Sequence, residues 1–424
     1  MKYDPDAYPM GQDGAWSAAA LAVAESDGEL EPSVVAAPHG AALAEISLAV
    51  GGLALGTGEF ASMGLLPNVA HSVGVSIPSA GHMISAYALG VVVGAPLITV
   101  AMARAPRRAM LIGLMVVFAL GNMASAAAPT FMPLILARFL TGLPHGAYFG
   151  IASLVAASLV APGKRAQAVG RVMVGLSVAN VIGVPLATWF GQALGWRAAF
   201  LAVAALGLLT AALVTMFVPV IASHSEASPA RELRGFTRLQ VWLTLAIAAV
   251  GFGGMFAVYS YITPILTRVS GVPMHQVPLF LSVMGLGMIA GSLAGGWCAD
   301  RSILGTVFGA LIWNAVMLGL ITVSAAHPWT AAVNLFLIGG GIAVVPALQT
   351  RLMDTAAEAQ TLAAAMNHSA FNMANALGAW LGGVVIAAGL GWTSTGWVGA
   401  ALALAALPIL GLSAFLDRKA QIFV

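Results

Sequence analysis

Apolar residues in this chain gather into continuous runs separated by short polar breaks, and most runs are about 20 residues long, enough for a helix to cross about 30 Å of hydrocarbon. Twelve runs can be drawn, at 43 to 66, 81 to 103, 109 to 128, 131 to 158, 168 to 190, 198 to 221, 239 to 267, 276 to 298, 304 to 324, 330 to 351, 362 to 388 and 393 to 415. Barrel strands would instead alternate apolar and polar residues over segments of about ten. The pattern predicts an all-α polytopic membrane protein with twelve transmembrane helices.

Composition agrees with the pattern: of 424 residues, 60% are hydrophobic and 8% charged, and the mean hydropathy is +0.95, outside the range of soluble domains. The first 40 residues hold seven of the fifteen acids and a single lysine. They lack the basic start and apolar centre of a secretory signal and read as a mobile, solvated tail. Lysine and arginine set the orientation. With the N-terminus in the cytoplasm, fourteen of the seventeen fall on the inner side, Arg197 and Arg268 fall outside, and Arg138 is left within the membrane. Both termini are then cytoplasmic. The single cysteine, Cys298, excludes an internal disulfide.

The longest polar stretch after the tail, "ASHSEASPARELRGFTR", divides the helices six and six. The expected organisation is a tail over 1–40, a first six-helix bundle over 41–221, a linker over 222–238, a second bundle over 239–416 and a cytoplasmic end over 417–424. Landmarks recur between the halves. Pro67 and Pro264 are 197 residues apart, as are "FLTG" from Phe139 and "FLIG" from Phe336, and "ANVIG" from Ala179 recurs as "ANALG" from Ala374 at 195. A parallel internal repeat implies two bundles around a central site.

The segments "GTGEFASMGLLP", "ISAYALGVVVGAPL", "RFLTGLPHGAYFG", "VANVIGVPLATWFGQALGWR" and "AFNMANALGAWLGG" resemble the arabinose-efflux-permease branch of the drug:proton antiporters in the major facilitator superfamily. The resemblance runs from about Leu48 to Leu412 and implies the major facilitator fold in a bacterial inner membrane, exporting small molecules against protons. One departure lies in the loop after the second helix. There "ARAPRR" puts Ala103 and Pro106 where the superfamily usually has aspartate and glycine, leaving Arg104; the second half keeps Asp300 and Arg301 in "GGWCADR". The three are gating candidates. Arg301 and Asp300 can pair or cap a helix end, or form an ordinary solvated loop.

Charge inside the spans is nearly absent, and an unpaired charge at mid-bilayer costs roughly 2.5–3.5 kcal/mol even on lenient insertion scales. Glu59 and Arg138 are the clearest exceptions. Counted from Pro67 and Pro129, both lie about 12 to 14 Å below the outer helix ends, so they are expected to lie within reach of each other, directly or through water. A glutamate can release a proton where an arginine cannot, which makes the pair a proton switch or else a static lock between two helices. His145 lies seven residues beyond Arg138, about 10 Å deeper, and is either a proton relay, a substrate contact or a histidine satisfied by a neighbouring helix. Thr141, Tyr148 and Phe149 flank that stripe.

In the other half "MNHSAFNMAN" aligns His368, Phe371, Asn372 and Asn375. Asn375 repeats Asn180, which favours packing for these two, whereas His368 and Asn372 are expected to touch substrate. Tyr259 is a further substrate candidate, and Tyr261 reads as an interfacial tyrosine. Gly175, Gly183 and Pro185 on the fifth helix loosely resemble the antiporters' glycine-proline motif and are assigned to conformational change or close packing.

No glycine-rich loop ends in Gly-Lys-Ser or Gly-Lys-Thr, and the histidines show no metal-ligand spacing, so no cofactor is expected. The expected partners are a small neutral or amphipathic molecule (sugar, drug or metabolite), protons and the lipid bilayer, with no nucleic acid, for a monomer. A proton-independent facilitator is the alternative mechanism, and a membrane enzyme or receptor the alternative class.

Overall fold

The structure is a computed structural model that describes residues 38–102, 105–161, 164–220, 237–356 and 360–422. Most of the acidic tail and of the linker, and the loop residue Arg104, lie outside the described residues. Among the described residues, twelve helices are long and apolar enough to span a membrane. They are α1 (Gly40–Gly64), α2 (Ile77–Ala101), α3 (Arg107–Ala127), α4 (Phe131–Ser158), α5 (Gln167–Leu194), α6 (Trp196–Phe217), α7 (Leu239–Arg268), α8 (Met274–Ala299), α9 (Ile303–Ser324), α10 (Pro328–Ala356), α11 (Ala365–Ala387) and α12 (Ser394–Arg418).

Local chemistry sets several of the helix ends. The Ser76 hydroxyl accepts from the Ser79 amide at the start of α2, and Ser302 accepts from Gly305 at the start of α9, each satisfying an amide that the first turn leaves free. Gly195, with φ +93°, makes the turn between α5 and α6, a backbone conformation that other residues adopt only with strain.

The internal repeat is visible atom by atom. In the first bundle α2 packs on α4, and a Cβ added at Gly90, Gly94 or Gly142 would strike the backbone carbonyl of Phe139, Leu143 or Tyr87. In the second bundle α8 packs on α10 the same way: Gly287 faces the carbonyl of Phe336, Gly291 that of Gly340 and Gly339 that of Met284. Each contact of the second set is the first displaced by 197 residues. Helix breaks repeat as well. A short helix, Leu66–Ser72, follows α1, and the last segment of α7, Ile262–Arg268, begins at the equivalent place. These glycines let backbones touch where membranes provide little other drive for helix association.

Between the bundles, α2 lies against α11 and α5 against α8. Cross-bundle hydrogen bonds run from the Ser85 hydroxyl to the Ala376 carbonyl (3.2 Å), from Ser282 to Val181 (3.1 Å) and from Thr263 to Gly64 (2.9 Å). Tyr261 is fully buried rather than interfacial, because the missing side chains of Gly81 and Gly383 make room for its hydroxyl, which donates to the Ala379 carbonyl at 2.8 Å. The glycine contacts make a symmetric expectation: Gly90→Val and Gly287→Val should each destabilise the protein by about 1–3 kcal/mol through overpacking. Gly113→Val, where a Cβ meets open space, should leave the thermal unfolding midpoint unchanged.

Candidate functional site

α1 and α4 run in opposite directions, and a helical side chain leans toward its own N-terminus. Glu59 on α1 and His145 on α4 therefore lean toward each other. His145 Nδ1 lies 3.7 Å from Glu59 Oε2, with both residues buried. The Tyr87 hydroxyl on α2 shares a 2.8 Å hydrogen bond with His145 Nδ1, either atom donating according to the imidazole tautomer. From the second bundle, Asn375 Nδ2 donates to Glu59 Oε1 at 2.9 Å. One carboxylate thus joins three helices across the bundle interface.

Arg138 is not the ion-pair partner of Glu59; its Nη2 donates to the Gly58 carbonyl at 3.0 Å, with the guanidinium 4.4 Å from the centre of the Tyr87 ring and 5.2 Å from that of Phe200. Its Nε and Nη1 have no hydrogen-bond partner, and the side chain is fully buried. The two side chains are still close enough to interact electrostatically, and the chain after α1 stays helical beyond Pro67. Bonds from Leu65 to Ala61 and from Val69 to Leu65 carry it through to Ser72.

Glu59 and His145 open onto a cavity of about 220 Å³ between the bundles. His368 and Asn372 line it, together with Asn180, Ser177, Ser292, Gln349 and Asn367. An apolar wall of Phe252, Phe256, Phe371, Met255 and Met288 completes it. Phe149 sits behind this surface, stacked on His368 at 4.8 Å, and the His145 and His368 ring centres are 6.0 Å apart. Thr141 and Tyr148 do not reach the cavity. Thr141 bonds its own helix at Ala137 and packs on Gly121, and the Tyr148 hydroxyl donates to the Leu48 carbonyl over Gly51. Tyr259 is buried against Phe60, 5.7 Å between ring centres, also off the cavity lining.

Gly175 and Gly183 bring α5 against Ala49 and Thr57 of α1, while Pro185 follows a π-helical turn, Ala179–Gly183. Asp300 and Arg301 form no ion pair among the described residues; Arg301 instead donates to the Trp297 carbonyl at 2.7 Å, closing the end of α8. A larger groove, about 610 Å³, between α8, α9 and α10 is lined mostly by small and apolar residues such as Gly291 and Ala294. Glu59, Tyr87, Arg138 and His145 do not line it.

Sequence reasoning missed Tyr87, and it read Asn375 as packing. The repeat contained a usable signal. At 197 residues from Glu59, Tyr87, Arg138 and His145 stand Phe256, Met284, Leu335 and Ile342. Each of these four first-bundle positions is thus apolar in the other copy, which marks Tyr87 as part of the set.

A family model of the Major Facilitator Superfamily matches residues 48–367. The chain belongs to that superfamily. It is 44% identical over 376 residues to the inner membrane transport protein YdhP of Escherichia coli strain K12, covering 87% of this chain and 95% of the relative. It is 32% identical to a chloramphenicol resistance protein of Streptomyces lividans, covering 82% and 89% of the two chains. Among solved structures, a D-xylose–proton symporter aligns with a TM-score of 0.67 at 16% identity, over 86% of this chain and 96% of that one, a likeness of fold. The chain is a multi-pass membrane transporter of the superfamily.

The cavity opens toward the face that carries Gly40 and Arg418: Ser292 is exposed, and Ser177, Gln349 and Asn367 line the cavity toward the same ends of their helices. The opposite face is closed by Thr263 on Gly64. In a Cys298→Ala background, a membrane-impermeant maleimide applied to the face carrying the termini should modify Ser177→Cys and Ser292→Cys and leave Thr263→Cys untouched. Mass spectrometry of the labelled protein reads the result; equal labelling of all three would refute the open-and-closed assignment.

Proposed function

We propose that the protein exports a small neutral or amphipathic molecule across the inner membrane in exchange for protons, alternating access between the two faces, with both termini in the cytoplasm. The observation that carries this reading is the Asn375–Glu59 hydrogen bond, 2.9 Å, from one bundle to a carboxylate of the other. A carboxylate binds a donor about twice as strongly as its neutral acid does. Protonating Glu59 therefore weakens one tie between the bundles, and releasing the proton restores it.

The neighbours supply a route. His145 lies beside Glu59, the Tyr87 hydroxyl bonds the imidazole, and His368, 6.0 Å from His145 between ring centres, lines the cavity as Glu59 does. A proton leaving Glu59 passes to water in the cavity through these rings. Arg138, lodged against Gly58 with two free donors, holds a fixed positive charge next to the switch and is itself no proton carrier. The names of relatives support export: one is a resistance protein against a drug. The distribution of lysine and arginine supports the orientation.

The expected outcome in everted vesicles is direct. Addition of chloramphenicol, arabinose or another member of a broad compound panel should discharge an imposed pH gradient through the wild-type protein. Glu59→Gln should lower that proton-coupled flux at least about tenfold, equivalent to about 1.4 kcal/mol of coupling, while keeping exchange of labelled for unlabelled compound. Full gradient-driven transport by Glu59→Gln would exclude this carboxyl as the coupling group. Flux indifferent to the gradient would favour facilitation.

A further inference from the structure

Asn180 on α5 and Asn372 on α11 come from opposite bundles and both line the cavity, each 4% exposed. Each spends its amide nitrogen on its own helix: Asn180 Nδ2 donates to the Leu176 carbonyl at 3.0 Å and Asn372 Nδ2 to the His368 carbonyl at 3.1 Å. A backbone carbonyl only accepts, so these bonds fix which end of each amide is nitrogen and which is oxygen. The two Oδ1 atoms are left buried without a partner among the described residues. Native proteins rarely leave a buried acceptor empty, because it loses its water for nothing in return.

The position of Asn180 is held by the backbone. It lies in the π-helical turn Ala179–Gly183, and its carbonyl sits where a Cβ on Gly285 would be, so α8 presses directly on the turn. Such turns concentrate at functional sites. Its repeat partner, Asn375, has the opposite use, donating to Glu59. Equal positions in the two copies thus present one donor to the proton switch and one acceptor to the cavity.

We propose that Asn180 and Asn372 are a pair of specificity-determining acceptors that grip the hydrogen-bond donors of the transported molecule from both bundles. The substrate class follows. It carries at least two hydroxyl, amine or amide N–H donors beside an apolar ring that lies against Phe252, Phe256, Phe371 and Met288. No lysine or arginine lines the cavity and Glu59 does, so anions are disfavoured. This rests on the transport reading and adds to it a rule for what is carried.

The test compares molecules that differ only in the ability to donate. The purified full-length protein is titrated calorimetrically, without any pH gradient, with chloramphenicol and its analogue in which the primary hydroxyl is fluorine, and with phenyl β-glucoside and its 6-fluoro analogue. Fluorine keeps the size of a hydroxyl and cannot donate. At least one parent should bind, and its fluoro analogue should bind about five- to tenfold more weakly, the scale of one net hydrogen bond. Asn180→Leu or Asn372→Leu should remove most of that difference. Equal binding of parent and analogue by the wild-type protein, or binding of neither parent, overturns the proposal, and neither result needs a variant to fold. Failure of proton coupling is seen separately, because binding is read with no gradient imposed and coupling only by gradient-driven flux.

Discussion

The carboxylate of Glu59 lies where lipid offers no hydrogen bonds, and nearly every other feature of the site can be read from how it is satisfied. Its oxygens face Asn375 of one bundle and His145 of the other. Removing one partner of a buried charged group typically costs several kcal/mol, because the remaining charge has nowhere to turn. The arrangement is therefore tied to the protonation state of a single group, and that group touches both halves of the molecule. Arg138 answers the same constraint differently, by binding a carbonyl and lying against two aromatic rings, which suits a weakly hydrated, delocalised cation.

The two copies of the repeat share a skeleton and divide the labour. Glycines at 90, 94 and 142 and at 287, 291 and 339 seat carbonyls in matching ways, so the bundles have the same close helix contacts. Onto that common frame the first bundle places Glu59, Tyr87, Arg138 and His145, and the second places Phe256, Met284, Leu335 and Ile342. Phe256 and Ile342 line the cavity opposite Glu59 and His145. The ionisable carboxyl thus sits on one wall and faces aromatic and aliphatic surface, with His368 and several amides beside it, on the other. A molecule between them is met by both.

The fold was legible because hydrocarbon thickness and the cost of buried polar groups leave few ways to arrange such a chain. Apolar runs marked the spans, and the distance between Pro67 and Pro264 marked the repeat. The site was legible in part. Glu59, His145, His368 and Asn372 stood out as polar residues in apolar runs, and all four reach the cavity. Partners were harder. Depth counting brought Arg138 to the backbone beside Glu59, at Gly58, but depth says nothing of which way a side chain turns, and the carboxylate oxygens face His145 and Asn375. Thr141 and Tyr148 flank the stripe of His145 but point at α3 and α1, since side chains two turns apart on one helix meet different neighbours. The matching of Asn180 with Asn375 suggested packing, and only coordinates separate the donor to Glu59 from the acceptor in the cavity.

If the Glu59–Asn375 bond ties the bundles in the conformation open toward the termini, that conformation should lose population when Glu59 takes a proton. Spin labels at Ser177 and Ser292, on α5 and α8, measure it directly through their pulsed electron-resonance distance distribution in lipid nanodiscs. The account expects the wild-type distribution to shift from longer toward shorter distances on acidification, a Glu59→Gln protein to show one distribution at every pH, and Asn375→Leu to shift less than wild type. An undiminished shift in Glu59→Gln would contradict it.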